Sequence, residues 1–228
     1  MSSSPRTAGQ RRVIIEDGVI AGNYTDKYGS GNPLYRRLMA GFHSALDELV
    51  EQSGATVMHE VGCGEGHLSL HLAERGLEVR GSDFSGQVIE HARANAEAQG
   101  RDLPFKAASV YDLTPEEDAA ELVVCCQTLE HLEDPQKALR MLRTLARPWL
   151  IASVPREPLW RALNIARGKY LRDLGNTPGH LNHWSTRAFV RMLQQHMAVI
   201  RVLTPLPWSL ALCKAPSRSL ERARHSDG

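Results

Sequence analysis

Glu60-Val-Gly-Cys-Gly-Glu-Gly66 sets three glycines at alternate positions behind an acidic residue that closes an apolar run. Glycines so spaced let a backbone turn sharply from strand to helix and come close to a ligand. A dinucleotide-binding loop would read G-x-G-x-x-G, and counted from Gly62 its last glycine falls on His67. Glu60 also disfavours a neighbouring phosphate by charge repulsion. About 20 residues further on, Asp83 ends the next apolar run, where a carboxylate can accept hydrogen bonds from ribose hydroxyls. The alternative for Asp83 is a helix cap ahead of Ser85. Taken together, the two signals favour a ribose-bearing, cationic ligand over a pyrophosphate.

Those residues need elements to position them. Ala55–Val61 reads as a buried strand, Gly66–Arg75 as a helix and Leu77–Asp83 as a second strand. Ser85 suits the cap of a helix running through Gln99, with Val88, Ile89, Ala92 and Ala96 turned inward. Leu122–Cys126 is a further strand, Asp134-Pro135 opens a helix carrying Leu139, Leu142 and Leu145, and Trp149–Val154 is a strand again. Such β-α alternation implies a parallel sheet covered on both faces. Upstream, Leu34, Leu38, Phe42, Leu46, Leu49 and Val50 recur at helical spacing until Gly54. Arg156–Trp184 interrupts the alternation, and Met197–Thr204 with Trp208–Lys214 suggests a closing antiparallel pair. The expected division is therefore a tail and helical lid over 1–54, an α/β domain over 55–214 with a cap at about 156–190, and a loose tail over 215–228.

Composition narrows the class. In 228 residues, 27 Lys and Arg face 26 Asp and Glu, a balance that argues against a generic nucleic-acid coat. It conceals a segregation: Tyr111–Asp134 is acidic without Lys or Arg, while Pro135–Arg172 carries nine basic residues against Glu157 alone. Of the four cysteines, adjacent Cys125 and Cys126 would point to opposite faces of a strand, so neither a disulfide framework nor a zinc ribbon is expected. Neither a secretory leader nor a transmembrane run is read, so the expectation is a soluble, cytoplasmic protein.

Four segments in order, Glu60–Gly66, Gly81-Ser-Asp-Phe-Ser85, Ala107–Leu113 and Leu122–Leu132, resemble the class I S-adenosylmethionine-dependent methyltransferases, closest to the small-molecule branch that includes quinone-ring methylases. The resemblance covers roughly residues 55–155. It implies a Rossmann-like, doubly wound sheet of seven strands, mostly parallel with an antiparallel last strand, and a cap after the fifth strand. It further implies that Glu60, Gly62, Gly64 and Gly66 face the methionine part of S-adenosylmethionine. Asp83 would hold the ribose diol with Phe84 against the adenine, while Ser109 and Val110 border the adenine and Gln127 sits near the methionine. Tyr24 and Tyr28, with Lys27, would close as a lid. Many relatives have Gly-Asp where this chain has Ala108-Ser109, and a hydroxyl there meets the adenine amine without a charge.

Transfer from a sulfonium is an in-line displacement dominated by positioning and water exclusion. A hydroxyl acceptor benefits from a base, and histidine suits neutral pH. His131, just past the strand that ends near Gln127, and the cap's His180 and His183 are the candidates. Arg156, Trp160, Arg167, Tyr170 and Trp184 are the candidates for the acceptor pocket, which would take a small molecule of anionic or lipid-like character. Gln127, Glu130 and His131, with His180 or His183, echo the E-x-x-E-H and distal-histidine metal set of small-RNA 2′-O-methyltransferases. Gln127 stands there in place of a carboxylate, so no metal is expected. The sequence expectation is thus O-methylation of a small or lipid-like acceptor. The alternatives are metal-dependent RNA 2′-O-methylation and a non-catalytic S-adenosylmethionine-binding regulator or partner subunit, because a cofactor motif reports binding and not chemistry.

Overall fold

The computed structural model describes residues 14–16, 19–21 and 33–216. Ile14–Glu16 (β1) and Val19–Ala21 (β2) form a short antiparallel hairpin that the sequence reading did not anticipate. Pro33–Ser53 (α1) follows, its stripe burying Phe42, Leu46, Leu49 and Val50 as the spacing predicts. Leu34, the first member of the expected stripe, stays exposed instead.

The main sheet then builds in alternation. Val57–Val61 (β3) leads to His67–Glu74 (α2), Glu78–Asp83 (β4) to Gly86–Ala98 (α3), and Phe105–Ala107 (β5) to Pro115–Asp118 (α4). Ala120–Cys126 (β6) precedes Pro135–Leu145 (α5), and Ala146–Pro155 (β7) precedes Leu159–Ala166 (α6). Thr186–Gln194 (α7), Ala198–Leu203 (β8) and Trp208–Lys214 (β9) complete the chain. Strand order is β5-β4-β3-β6-β7-β9-β8, with β9 antiparallel to both of its neighbours. The expected seven-stranded, mostly parallel sheet is therefore present.

Side-chain alternation divides the core. Leu122, Val124 and Cys126 of β6 pack with α1 and α2, whereas Val123 and Cys125 pack with α5 and α7. Both faces of the central strands are covered, which is why these runs are apolar throughout. Helix starts follow their local chemistry: Ser85 Oγ accepts from Val88 N at 3.2 Å, and Asp134 Oδ1 accepts from Lys137 N at 2.8 Å. Among the described residues no helix is long and apolar enough to cross a membrane.

Candidate active site

The carboxyl ends of β3, β4 and β6 converge at the strand-order reversal, where open α/β sheets take ligands. Ser82 O of β4 accepts from both Gly62 N (2.7 Å) and Cys63 N (2.9 Å), so the glycine turn is tied to its neighbour strand. Ser82 is itself held from behind. His59 Nδ1–H donates to Asp118 O at 2.9 Å, leaving Nε2 to accept from Ser82 Oγ at 2.9 Å. This buried histidine is a strut of the turn, and burial lowers its pKa.

The three glycines do different work. All have positive φ, 78° at Gly62, 54° at Gly64 and 78° at Gly66. A methyl on Gly62 would overlap the Thr128 hydroxyl, and one on Gly66 would lie 2.9 Å from Phe105 Cζ and 3.2 Å from Ala92 Cβ. Gly64 has nothing within 4 Å. Two glycines thus seat the turn against β6, β5 and α3, and the middle one faces open space.

Beside Gly64 lies Asp83, whose Oδ2 accepts from Gly64 N at 3.0 Å and whose Oδ1 accepts from Ser85 N at 3.2 Å. The next residue, Phe84, is 40% exposed although it follows a buried strand. Glu60 is buried beneath the turn, accepting from Ser69 Oγ at 2.5 Å. Burial, with Asp83 nearby, pushes its pKa up to about 8. The residues present fit S-adenosylmethionine on these grounds: an open approach at Gly64, a carboxylate and an exposed aromatic ring adjoining it, and no Lys or Arg in either segment to meet a phosphate.

Other expected cofactor contacts carry local duties. Ser109 Oγ accepts from Tyr111 N at 3.3 Å, and Val110 is buried in the core. Gln127 has a left-handed backbone (φ 58°) and donates Nε2–H to Ser153 Oγ at 3.0 Å. Tyr24 and Tyr28 lie outside the described residues.

Leu129–His131 forms a 3-10 turn after β6, and the cap docks on it. Leu181 N and Asn182 N donate to Glu130 O (2.8 and 3.0 Å), and Asn182 Nδ2 donates to Leu132 O at 2.6 Å. His131 Nδ1 lies 2.9 Å from Gly179 O. This brings the His131 and His180 rings to 4.9 Å, nearly perpendicular, with Trp160 stacked 6.1 Å from His180. The ligand atoms of Glu130, His131 and His180 all lie within 4.8 Å of one another.

His183 is apart from this group, its Nε2 2.6 Å from Asn176 Oδ1. Trp184 packs against the core cluster of α5 and α7, and Arg156 pairs with it through the backbone. Arg167 bonds Asn164 Oδ1 (2.6 Å) and Leu163 O (3.3 Å) of its own helix. Tyr170 has a left-handed backbone at φ 54°. Thr128, Asn164 and Thr177 went unnoticed in the sequence. Thr128 limits Gly62, and Asn164 Nδ2 donates to Gly175 O (2.9 Å) and Thr177 Oγ1 (3.2 Å) to hold the cap.

Residues 59–149 match the family model described as a methyltransferase domain. The ubiquinone biosynthesis O-methyltransferase of Aeromonas salmonicida is 31% identical over 173 residues, 71% of this chain and 69% of that protein. Its counterpart from Xanthomonas euvesicatoria is 28% identical over 68% of this chain and 66% of its own length. Among solved structures, magnesium protoporphyrin IX methyltransferase from Synechocystis superposes with a TM-score of 0.63 at 22% identity, covering 83% of this chain and 91% of that one. The N-methyltransferase NodS of Bradyrhizobium japonicum gives 0.60 at 17% identity over 79% and 98%.

Proposed function

The chain belongs to the class I S-adenosylmethionine-dependent methyltransferases, and from that premise we propose that it methylates an oxygen of a small acceptor held between the end of β6 and the cap. The cofactor supplies a sulfonium methyl whose loss leaves a neutral thioether. On this reading Asp83 would accept from a diol, Phe84 would stack on a base and Gly64 would admit the ligand at close range, which the open space at Gly64 and the exposed Phe84 ring support. Negative charge at Asp83 favours a cationic ligand over an anionic one. Relatives at about 30% identity are named as ubiquinone biosynthesis O-methyltransferases, which supports a small acceptor over RNA or a non-catalytic role.

The meeting of His131 and His180 carries the reading of oxygen as the acceptor. A hydroxyl must shed a proton to become a good nucleophile, and imidazoles favour its deprotonated form near neutral pH. Trp160, stacked beside His180, gives the acceptor a flat apolar wall.

The cap supports an anionic or lipid-like acceptor. Tyr170 and Leu174, both left-handed, bracket a turn that leaves Leu171 and Leu174 exposed at 57% and 67%. Lys169 and Arg172 share that segment, and apolar side chains among basic ones suit a headgroup surface.

The test is calorimetric titration with S-adenosylmethionine, then a labelled-methyl screen of hydroxylated metabolites. Gly64→Arg should abolish cofactor binding, and label should enter an O-methyl product. Binding undiminished in Gly64→Arg would overturn the cofactor placement. Turnover retained by both His131→Ala and His180→Ala would overturn the acceptor site. Leu171→Ser with Leu174→Ser should reduce sedimentation with anionic vesicles, and no change would remove the lipid-like reading.

A further inference from the structure

We propose that Trp208 selects the acceptor, its indole Nε1–H donating to a second oxygen on a flat ring seated against Trp160. The proposal rests on the reading above and deepens it by giving the acceptor a class: a hydroxylated ring that carries a further oxygen lone pair.

Trp208 is fixed at the ligand edge of the sheet. It opens β9 opposite Pro155, the last residue of β7, and so stands at the carboxyl end of a strand adjoining β6. Its backbone is held on both sides: Trp208 N donates to Pro205 O at 2.6 Å, and Pro207 O accepts from Arg156 N at 2.9 Å. Alternation along β9 sends Trp208, Leu210 and Leu212 into the core cluster of α1, while Ala211 and Cys213 join that of α5 and α7. The Trp208 ring therefore meets Phe42 of α1, T-shaped with centroids 5.2 Å apart, and Trp160 of α6 at 6.0 Å. Trp160 stacks in turn on His180. The four rings form one row from α1 to the cap.

One polar atom in this row has nothing to bond. Trp208 is 3% exposed, and its Nε1 has no hydrogen-bond partner among the described residues. Indole has no other polar atom, so the side chain as a whole is unsatisfied. A buried donor in that state costs free energy, which a bound oxygen offsets. The neighbouring indole is different: Trp160 Nε1–H donates to Thr177 Oγ1 at 2.9 Å, so Trp160 offers a ligand only its face. Arg80 and Glu157 also hold a buried polar atom without a partner, but each is bonded through another, Arg80 Nη2 to Ala119 O and Glu157 Oε2 to Arg161 N.

An N–H that can only donate discriminates among ligands. It favours a carbonyl, ether or phenol oxygen and disfavours an ammonium or an alkyl group at the same place. Phe42 and Trp160 add apolar faces that suit a planar ring. Trp160 is half-buried, so it is the wall that adjusts: its ring turns to admit the acceptor, as interface side chains commonly do on binding. The second oxygen on Trp208 and the reacting hydroxyl toward His131 and His180 then hold the ring at two points, which aligns it for in-line transfer.

The test is nuclear magnetic resonance on the full chain, isotopically labelled at its indole nitrogens and loaded with S-adenosylhomocysteine so that methyl transfer does not intervene. The Trp208 N–H resonance is the one missing from Trp208→Phe, and it is also assigned by elimination from Trp149→Phe, Trp160→Phe and Trp184→Phe. Isosteric pairs are titrated in: guaiacol against ortho-ethylphenol, and para-hydroxyacetophenone against para-ethylphenol. In at least one pair the member with the second oxygen should move the Trp208 resonance downfield and bind about fivefold tighter than its partner, the worth of one hydrogen bond. Trp208→Phe keeps an aromatic ring without the donor, and it should bind both members alike. A Trp208 resonance unmoved by every probe, or discrimination that survives in Trp208→Phe, would overturn the proposal. Cofactor binding is measured on the same samples by calorimetry. S-adenosylhomocysteine bound with the Trp208 resonance unmoved defeats the role of Trp208 alone, and no cofactor bound by the wild-type chain defeats the underlying reading.

Discussion

Gly62→Ala and Gly64→Ala should separate the two jobs of the glycine turn. Both residues are left-handed, and an alanine there costs about 1–2 kcal/mol. At Gly64 that is the whole cost, since its new methyl meets nothing within 4 Å. At Gly62 the methyl would overlap Thr128 Oγ1 and lie 2.7 Å from Cγ2 and 2.9 Å from Cβ. Overpacking of that kind adds roughly 1–3 kcal/mol. With a domain of this size losing about 2–4 °C per kcal/mol, Gly62→Ala should melt roughly 2–12 °C below Gly64→Ala. Thr128→Gly, introduced into Gly62→Ala, removes the obstructing atoms and should recover most of that difference, a coupling of about 0.5–3 kcal/mol. Cofactor affinity should rank the other way in proportion to stability lost. Gly64→Ala puts its methyl into the space of approach and should weaken binding at least about tenfold, or 1.4 kcal/mol, despite the smaller melting shift. Differential scanning calorimetry and titration calorimetry on the same preparations decide it. Equal melting points for the two variants, with full affinity in Gly64→Ala, would refute the assignment of Gly64 to the ligand side.

Two titrating groups should tilt stability in opposite senses. Glu60, raised by burial from 4.5 to about 8, keeps its proton in the folded chain after the unfolded chain has released it. The ligand-free protein should therefore lose stability as pH rises from about 4.5 to about 8, and Glu60→Gln should flatten that slope in thermal melts. His43 is depressed by burial and by the neighbouring His71 from 6.5 to about 4. The unfolded chain protonates first, so stability should fall as pH drops from about 6.5 to about 4, and His43→Asn should remove that loss. In the cap, Asn164→Leu strands the Gly175 carbonyl and should cost about 1–3 kcal/mol. The damage should stay local, with faster proteolysis near Gly168–Gly175 but cofactor affinity within about twofold, because the glycine turn does not contact Asn164.

What the sequence revealed follows from how local each interaction is. Glu60–Gly66 with Asp83 is two strand ends and a turn, and its function is written in consecutive residue types. Phe105–Ala107 escaped notice because three residues give no alternation to read. Its meaning lies across the sheet, where the Phe105 ring fills the room left by Gly81 and Gly66 and a methyl on Gly81 would come within 2.7 Å of it. Cap positions behave the same way. Trp184 looks like a pocket residue beside His183, yet its ring packs on the α5 and α7 side, and Arg167 looks like an anion binder but bonds its own helix. Periodicity cannot separate these outcomes, because an exposed turn sets side-chain direction through docking bonds rather than through helix or strand geometry. His131 and His180 illustrate the limit most clearly. They stand 49 residues apart, and what joins them is Glu130 O accepting from Leu181 and Asn182, a backbone contact that no residue type announces. A chain that holds its cap by those two bonds also fixes how close the two rings stand, so weakening the dock should part them while leaving the Glu60–Gly66 turn in place.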